Sequence, residues 1–290
     1  MNPVELVRGS APVILALPHT GTWLPDAVRA RLTPLGLTLG DTDWHVERLY
    51  ADLLPGASTV RATFHRYLID ANRDPSGASL YPGQNTTGLV PTTDFDGSPL
   101  WHEPPSEAQI ERRRQAFHAP YHAALAAEIA RVRAQHGVAI LYDCHSIRSV
   151  VPYLFEGTLP DFNIGTDEGR TCTPVVERTV ERICRDAKGF STVLNGRFKG
   201  GWTVRHHARP GHGVHAVQME LAQRTHLSTE TPPFGYDADK ATRLREPLRA
   251  VLEALSTLAP SLTAPADTRP TTDATVDATT DATAHQEPAR

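Results

Sequence analysis

The chain has 290 residues, of which 40% are hydrophobic, so it is long enough for one large domain with a buried core. Its net charge of -4 is concentrated in residues 259–290, which hold five acidic and two basic residues and leave 28 acidic and 27 basic residues in the body. That balance argues against a nucleic-acid-binding protein, and no apolar run approaches the roughly 18 residues that a membrane span requires.

The predicted secondary structure alternates between strands and helices along the chain. Three short apolar runs are predicted strands, at residues 13–17, 138–142 and 214–221. Four segments have helical periodicity, at residues 43–54, 106–136, 174–187 and 244–255. We therefore predict an α/β fold with a mixed, mainly parallel central sheet flanked by helices. Residues 69–103 are rich in Gly, Pro, Asn and Asp but also carry aromatic residues, and we expect a long structured loop there.

Residues 1–258 are expected to form a single domain. From 259 to 290 the chain consists mainly of Ala, Thr, Asp and Pro with almost no large apolar side chain, so we predict a disordered tail. The three cysteines form no C-x-x-C unit, and the N-terminus lacks the basic and apolar regions of a signal peptide. These features predict a reduced, cytoplasmic protein.

Two histidines directly follow predicted strands. His19 comes two residues after Leu17, and His145 comes three residues after Tyr142. The carboxyl ends of neighbouring parallel strands lie side by side at one edge of a sheet. A lone histidine is more often a hydrogen-bonded packing residue, but a pair placed in this way favours a shared divalent metal ion such as Zn²⁺.

The third metal ligand is predicted to be Asp43, at the start of the helix predicted for 43–54. A hydrolytic zinc site requires three protein ligands and an open fourth position, and a carboxylate complements two neutral imidazoles. Asp41, His45 and Glu47 are the alternatives in the same segment.

The strand predicted at 214–221 carries a carboxylate on one face. Side chains alternate between the two faces of a strand, so Gln218 and Glu220 share the face opposite the large apolar residues. A buried carboxylate is costly unless it has a partner or a chemical role. We interpret Glu220 as a general base that accepts a proton from water and returns it to a leaving amine. An ion pair with Arg205 or Arg224 is the structural alternative.

Two further segments carry groups that suit carboxylates. Asn72 and Arg73 follow an apolar run, and a guanidinium binds a carboxylate in two-pronged geometry to which the amide adds a donor. The structural alternative is a solvated Arg73, or one paired with a neighbour such as Asp74. Arg148 lies three residues after His145, within reach of the same pocket. The sequence therefore predicts a small-molecule substrate with at least one carboxylate.

Six ordered motifs resemble the N-formylglutamate amidohydrolases over about residues 5–255. The motifs are Pro18-His19-Thr20-Gly21, Asp41-Thr42-Asp43-Trp44-His45-Val46, Ile69-Asp70-Ala71-Asn72-Arg73, Asp143-Cys144-His145-Ser146-Ile147-Arg148, Asn195-Gly196-Arg197-Phe198-Lys199-Gly200-Gly201 and Val217-Gln218-Met219-Glu220-Leu221. The resemblance implies a phosphorylase/hydrolase-like fold related to zinc carboxypeptidases and aspartoacylases. It also implies hydrolysis of N-formyl-L-glutamate to formate and L-glutamate, a late step of histidine degradation.

The resemblance also implies roles for the candidate residues. The metal ligands would be His19, Asp43 and His145, the base would be Glu220, and one substrate carboxylate would be bound by Asn72 and Arg73. We expect Arg148 or Arg205 to bind the second carboxylate. One position departs from the carboxypeptidase pattern, because Thr22 stands three residues after His19 where those enzymes have a glutamate ligand. The alternatives are a related zinc amidohydrolase for another N-acyl amino acid, and a non-catalytic dicarboxylate-binding protein.

Overall fold

The computed structural model describes residues 1–79, 81 and 83–263, and in this part of the chain seven strands form one sheet. The strands are β1 (Val4–Val7), β2 (Val13–Leu17), β3 (Ser58–Ala62), β4 (Ala139–Ile147), β5 (Phe162–Gly165), β6 (Thr192–Leu194) and β7 (Val214–Ala222). They lie in the order β1-β3-β2-β4-β7-β5-β6. The pairs β2–β3, β2–β4, β4–β7 and β5–β6 are parallel, whereas β1–β3 and β5–β7 are antiparallel. The prediction of a mixed, mainly parallel sheet is confirmed.

Helices lie on both faces of the sheet. They are α1 (Asp26–Arg29), α2 (Val46–Tyr50), α3 (Glu107–Arg113), α4 (Ala119–His136), α5 (Pro174–Asp186), α6 (Trp202–His207) and α7 (Ala238–Leu258). Short 3₁₀ helices cover Gly36–Thr38, Pro210–His212, Gln223–Thr225 and Ala259–Leu262. In the described ranges, none of the helices combines the length and the apolar character that a bilayer crossing needs.

The alternation of side chains along the central strands divides the core in two. On one face of β4, Ile140 and Tyr142 pack with residues of α2, α5 and α7. On the other face, Ala139 and Leu141 pack with residues of α4 and α6. Because both faces are covered by helices, the central strands are buried along their whole length, which explains the continuous apolar sequence of β2 and of the first half of β4.

Two predicted helices differ from the observed ones. The helix expected at 43–54 covers only Val46–Tyr50, because His45 and Asp52 both adopt positive φ angles, of 62° and 58°, which a helix does not tolerate. The helix expected at 106–136 is divided by a π-helical turn at Arg114–His118. Pro120 follows that turn and has no N–H for the helical ladder, which accounts for the irregularity.

Two predicted boundaries are also wrong. Strand β4 continues through Asp143 and His145 to Ile147, so these polar residues lie within the strand and not after it. The tail predicted from 259 begins too early, because Ala259 and Leu262 are buried in the core next to α7. Burial of these two apolar side chains in the core removes their surface from water and so stabilises the folded segment. Residues 264–290 of the predicted tail lie outside the described residues.

The segment that carries Asp43 is attached to the end of β7 by a buried histidine. Nε2 of His226 donates a hydrogen bond to the Trp44 carbonyl oxygen at 3.1 Å. The Trp44 ring also stacks on Phe234, with 4.8 Å between the ring centroids. Burial lowers the pKa of His226 to about 4, so the folded protein holds this imidazole neutral at neutral pH.

This burial makes the free energy of unfolding depend on pH. Unfolded His226 takes up a proton below about pH 6.5 whereas the folded residue stays neutral until about pH 4, so stability falls as the pH decreases through this window. We expect His226→Gln, which keeps a donor for Trp44, to reduce the slope by about 1.4 kcal/mol per pH unit. Urea unfolding between pH 7 and pH 4 measures the slope. The control His212→Gln changes an exposed histidine and should match the wild type, whereas an unchanged slope in His226→Gln would contradict the assignment.

Candidate active site

The three side chains predicted to share a metal ion lie together at the carboxyl edge of β2 and β4. His19 Nδ1 lies 3.2 Å from His145 Nδ1. Oδ2 of Asp43 lies 3.1 Å from His145 Nδ1 and 3.7 Å from His19 Nδ1. All three side chains are almost fully buried. Ligand atoms from three distant segments therefore converge on one point.

Backbone pairing explains how these segments meet. Parallel pairing of Ala16 with Asp143 brings the end of β2, and so His19, beside His145. The N–H of Asp43 donates to the His19 carbonyl oxygen at 3.1 Å. Oδ2 of Asp43 also accepts a hydrogen bond from the Ser146 N–H at 3.2 Å. A residue outside the sheet is thus tied to both strands that carry the histidines.

The three distances fit a tetrahedral metal ion. Zinc bonds of about 2.0–2.2 Å at tetrahedral angles place neighbouring ligand atoms about 3.3–3.6 Å apart. The separations of 3.1, 3.2 and 3.7 Å lie close to that range on either side. Among the described residues this is the one group of His, Cys, Asp or Glu side chains with such convergence. The residues present therefore fit a divalent ion with one coordination position left open.

Each imidazole has a carboxyl group next to its outer nitrogen. His19 Nε2 lies 2.7 Å from Asp70 Oδ1, and His145 Nε2 lies 2.9 Å from Asp143 Oδ2. In the neutral form of a histidine whose outer N–H faces a carboxylate, the other nitrogen is unprotonated, and that is the nitrogen that binds a metal. Both rings are therefore arranged to present Nδ1 to the cluster.

The surroundings of the cluster favour positive charge. The buried carboxyl groups of Asp43, Asp70 and Asp143 are accompanied by one buried guanidinium, Arg66, whose Nη2 lies 2.7 Å from Asp70 Oδ2. Burial lowers the pKa of His145, but the charges of Asp143 and Asp43 and their hydrogen bonds to the ring outweigh it and raise that pKa well above its ordinary value. A cation at this point offsets the excess of buried negative charge.

The alternatives for the third ligand lie elsewhere. Oδ2 of Asp41 accepts from the Phe95 N–H at 3.1 Å, and burial raises the pKa of Asp41 to about 7. His45 Nε2 donates to the Phe234 carbonyl oxygen at 2.9 Å. Neither of these residues, nor Glu47, belongs to the group that converges with the two histidines.

Glu220 lies on β7 directly opposite His145 in the parallel register. Burial raises the pKa of Glu220 above its ordinary value. Gln218 fixes the carboxyl group, because its Oε1 accepts from the Gly201 N–H at 2.7 Å and so its Nε2 faces Glu220 Oε2 at 3.3 Å. The alternative ion pairs are absent within the described ranges, since Arg205 pairs with Asp167 and Arg224 pairs with Asp161. Glu220 is therefore held beside the cluster with no ionic partner of its own.

A cavity opens from the cluster and contains two of the predicted substrate contacts. Its lining includes His19, His145 and Glu220 together with Asn72 and Arg73. The amide of Asn72 accepts from the Thr203 N–H at 2.8 Å and turns Nδ2 to within 3.1 Å of His145 Nε2. Asn72 therefore contacts the His145 ring as well as lining the cavity.

Arg73 is held at the cavity wall by its own loop. Its Nε and Nη2 donate to the carbonyl oxygen and to Oγ1 of Thr87, at 2.9 and 3.0 Å. The alternative pairing with Asp74 is not observed. Among the described residues, the carboxylate within ion-pair distance is that of Asp70, whose Oδ2 lies 3.9 Å from Arg73 Nη1. The guanidinium is thus fixed without a close ion pair.

The two arginines expected to bind a second carboxylate are not brought to the cavity. Arg148 Nη2 pairs with Asp96 at 2.8 Å, and Arg205 Nη1 pairs with Asp167 at 3.0 Å. Neither residue is part of the cavity lining. Their ion pairs satisfy both guanidinium charges, so the geometry does not support the predicted role for Arg148 or Arg205.

The sequence analysis missed several residues of this site. Arg66 and Arg197 line the cavity, while Asp70 and Asp143 face the outer nitrogens of the two histidines. Asp70 and Asp143 stood within quoted motifs, two residues before Asn72 and two before His145. Spacing of two in a strand places side chains on the same face, and that signal was available for Asp143.

Comparisons with known proteins identify the family of this chain. A family model described as N-formylglutamate amidohydrolase matches residues 11–227. N-formylglutamate deformylase of Pseudomonas aeruginosa is 48% identical over 252 residues, which cover 86% of this chain and 94% of that protein. N-formylglutamate deformylase of Pseudomonas putida is 46% identical over 253 residues, which cover 86% of this chain and 93% of that protein.

The fold is also similar to solved structures. N-formylglutamate amidohydrolase from Ralstonia eutropha JMP134 aligns with a TM-score of 0.74 and 25% identity over 89% of this chain and 98% of that one. A protein from Agrobacterium tumefaciens aligns with a TM-score of 0.69 and 18% identity over 89% of this chain and 96% of that one, which supports the fold alone. The implied relation to zinc carboxypeptidases stays a prediction. This chain belongs to the N-formylglutamate amidohydrolase family.

Proposed function

We propose that the protein hydrolyses N-formyl-L-glutamate to formate and L-glutamate with the help of a zinc ion held by His19, Asp43 and His145. The observation that carries the proposal is the convergence of two Nδ1 atoms and one carboxylate oxygen beside a cavity that also contains Glu220. The deformylases of the two Pseudomonas species, similar over most of their length, support the choice of substrate.

When bound, a zinc ion supplies a Lewis acid that polarises a carbonyl group and makes water a stronger nucleophile near neutral pH. The protein's part is to orient the two imidazoles with Nδ1 toward the cluster, through Asp70 and Asp143 at their outer nitrogens. Manganese and cobalt also accept nitrogen and oxygen ligands, so the ligand set supports zinc without excluding them.

Glu220 is proposed to carry the proton of the reaction. Its carboxylate accepts a proton from the attacking water and, once protonated, donates it to the nitrogen that leaves with glutamate. Burial raises the pKa of Glu220, which suits a group that must both accept and release a proton near neutral pH. Gln218 keeps the carboxyl group aimed at the cavity by donating to Oε2.

Arg73 is proposed to bind the α-carboxylate of the substrate. That carboxylate is one carbon away from the amide nitrogen, so it must bind next to the cluster. Arg73 follows Asn72, whose side-chain nitrogen lies 3.1 Å from the ligand His145. A fixed guanidinium next to the reacting amide holds the substrate in one orientation.

The remaining parts of the proposal concern the cell. A cytoplasmic location is supported by three unpaired, buried cysteines, which suit a reducing compartment. Cys144 faces the core away from His145, and burial raises its thiol pKa well above the ordinary value, which argues against a cysteine nucleophile. A place in histidine degradation remains a prediction from the family resemblance.

Formate release from purified protein tests the proposed function. We expect turnover of N-formyl-L-glutamate, loss of activity after chelation, and recovery with one equivalent of Zn²⁺. N-acetyl-L-glutamate, N-formimino-L-glutamate and N-formyl-L-aspartate should be hydrolysed more slowly. A preference for one of these would assign another amidohydrolase reaction, and tight dicarboxylate binding without turnover would indicate a binding protein.

Replacing Glu220 should separate catalysis from metal binding. We expect Glu220→Gln to lower kcat on the order of 10²–10⁴-fold, because the amide cannot transfer the proton. Metal content, measured by elemental analysis, should stay at the wild-type level since Glu220 is not one of the three ligands. Retention of full activity in this variant would contradict the role of Glu220 as the base.

Replacing Arg73 should weaken substrate binding. We expect Arg73→Ala to lower kcat/KM for N-formyl-L-glutamate, mainly by raising KM, because a desolvated two-pronged contact is lost. The corresponding loss of transition-state binding free energy is about 2–4 kcal/mol. Steady-state formate release measures the effect. The matched control is Arg148→Ala, whose guanidinium pairs with Asp96 outside the cavity and should give nearly wild-type constants. Equal losses in both variants would contradict the assignment.

A further inference from the structure

The positive charges at the cavity are not equivalent. Arg66, Arg73 and Arg197 are the arginines in its lining. Arg66 is committed to a 2.7 Å ion pair with Asp70. Nη1 of Arg73 lies 3.9 Å from Asp70 Oδ2, which is a longer and weaker ion pair. For Arg197, the part of the chain that the structure describes provides no carboxylate within ion-pair distance.

Neutral groups nevertheless hold the Arg197 guanidinium in place. Nε donates to the Leu154 carbonyl oxygen at 2.9 Å and Nη2 donates to the Asn85 carbonyl oxygen at 2.8 Å. The guanidinium carbon lies 5.4 Å from the ring centroids of both Tyr81 and Phe198. Nη1 and the second N–H of Nη2 remain available, and together they can bind a carboxylate with two prongs.

A fixed, unpaired guanidinium is an unusual feature of a half-buried site. Burial lowers the pKa of Arg197 and the positive charge of Arg73 lowers it further, while Tyr81 and Glu220 act in the opposite direction without reversing the shift. A buried cation without a counterion is costly, so this arrangement is more stable when an anion enters the cavity. The anion must be small, because it shares the cavity with the cluster and with Arg73.

The proposed substrate has two carboxylates at different distances from the reacting amide. The α-carboxylate stays next to the cluster, where Arg73 lies. The γ-carboxylate extends two methylene groups further and needs its own cation. We propose that Arg197 is the residue that binds this side-chain carboxylate and thereby selects dicarboxylic over neutral N-formyl amino acids. This inference rests on the proposed function and deepens it.

Arg197 takes the role that sequence analysis gave to Arg148 or Arg205. Arg148 and Arg205 differ from Arg197 because each already forms an ion pair, with Asp96 and Asp167 respectively. Arg205 is a close match to Arg197 in other respects. It also lies under the Tyr81 ring at 5.4 Å and its side chain is 22% exposed. It therefore serves as the control.

The test compares N-formyl-L-glutamate with N-formyl-L-glutamine, which has the same shape but a neutral side-chain end. We expect Arg197→Met to lower kcat/KM for the glutamate substrate on the order of 100-fold, mainly through KM, and to change that for the glutamine substrate by less than about 3-fold. Arg197→Lys keeps the charge but loses the two-pronged geometry, so its kcat/KM for the glutamate substrate should lie between those of the wild type and Arg197→Met. Arg205→Met should leave the ratio of kcat/KM for the two substrates at its wild-type value.

Other outcomes separate failure of the inference from failure of the proposed function. An equal loss on both substrates in Arg197→Met would mean that Arg197 only supports the Asn85 and Leu154 loops, and would overturn the inference. If the wild type releases formate from neither substrate, calorimetry with L-glutamate and L-glutamine still tests Arg197. We expect Arg197→Met to remove the preference for L-glutamate, and a wild type without such a preference would overturn the inference.

Discussion

The parallel pairing of β2, β4 and β7 is the constraint on which the site depends. It places the end of β2 beside His145 and places Glu220 directly opposite His145. Because side chains alternate along a strand, a shift of one residue would turn His145 and Glu220 into the apolar core beneath α5 and α7. The large apolar residues on that opposite face, such as Tyr142 and Met219, therefore fix the register that the chemistry requires.

The electrostatics of the site depend on the same arrangement. The register aligns Asp143 with Gln218, two residues before His145 and Glu220 on the two strands. Asp143 thus faces the imidazole of His145 while Gln218 faces the proposed base. Buried carboxyl groups are costly alone, so this concentration of charge is best explained by a cation that the protein is built to hold. These buried carboxyl groups lie at the carboxyl edge of the sheet, where the loops that follow the strands line the cavity.

Local patterns predicted the parts of the site that lie on or next to strands. His19, His145 and Glu220 were found because strand ends and period-two alternation are visible in sequence. The ion-pair partners of Arg148 and Arg205 could not be found from the sequence. These partners, Asp96 and Asp167, lie in loops whose position next to the arginines depends on tertiary structure. The same holds for residues 259–262, whose burial depends on the completed sheet. It also holds for Arg197, which differs from the other two arginines in having no ion pair within the described part of the chain.

The central claim is that His19, Asp43 and His145 bind one metal ion through Nδ1, Oδ2 and Nδ1. A crystal structure of the zinc-loaded protein, with data collected on both sides of the zinc absorption edge, tests it most directly. We expect one strong anomalous peak, about 2.0–2.2 Å from each of these three atoms. A peak bound by other residues, or imidazoles turned away from each other around an empty centre, would contradict the account.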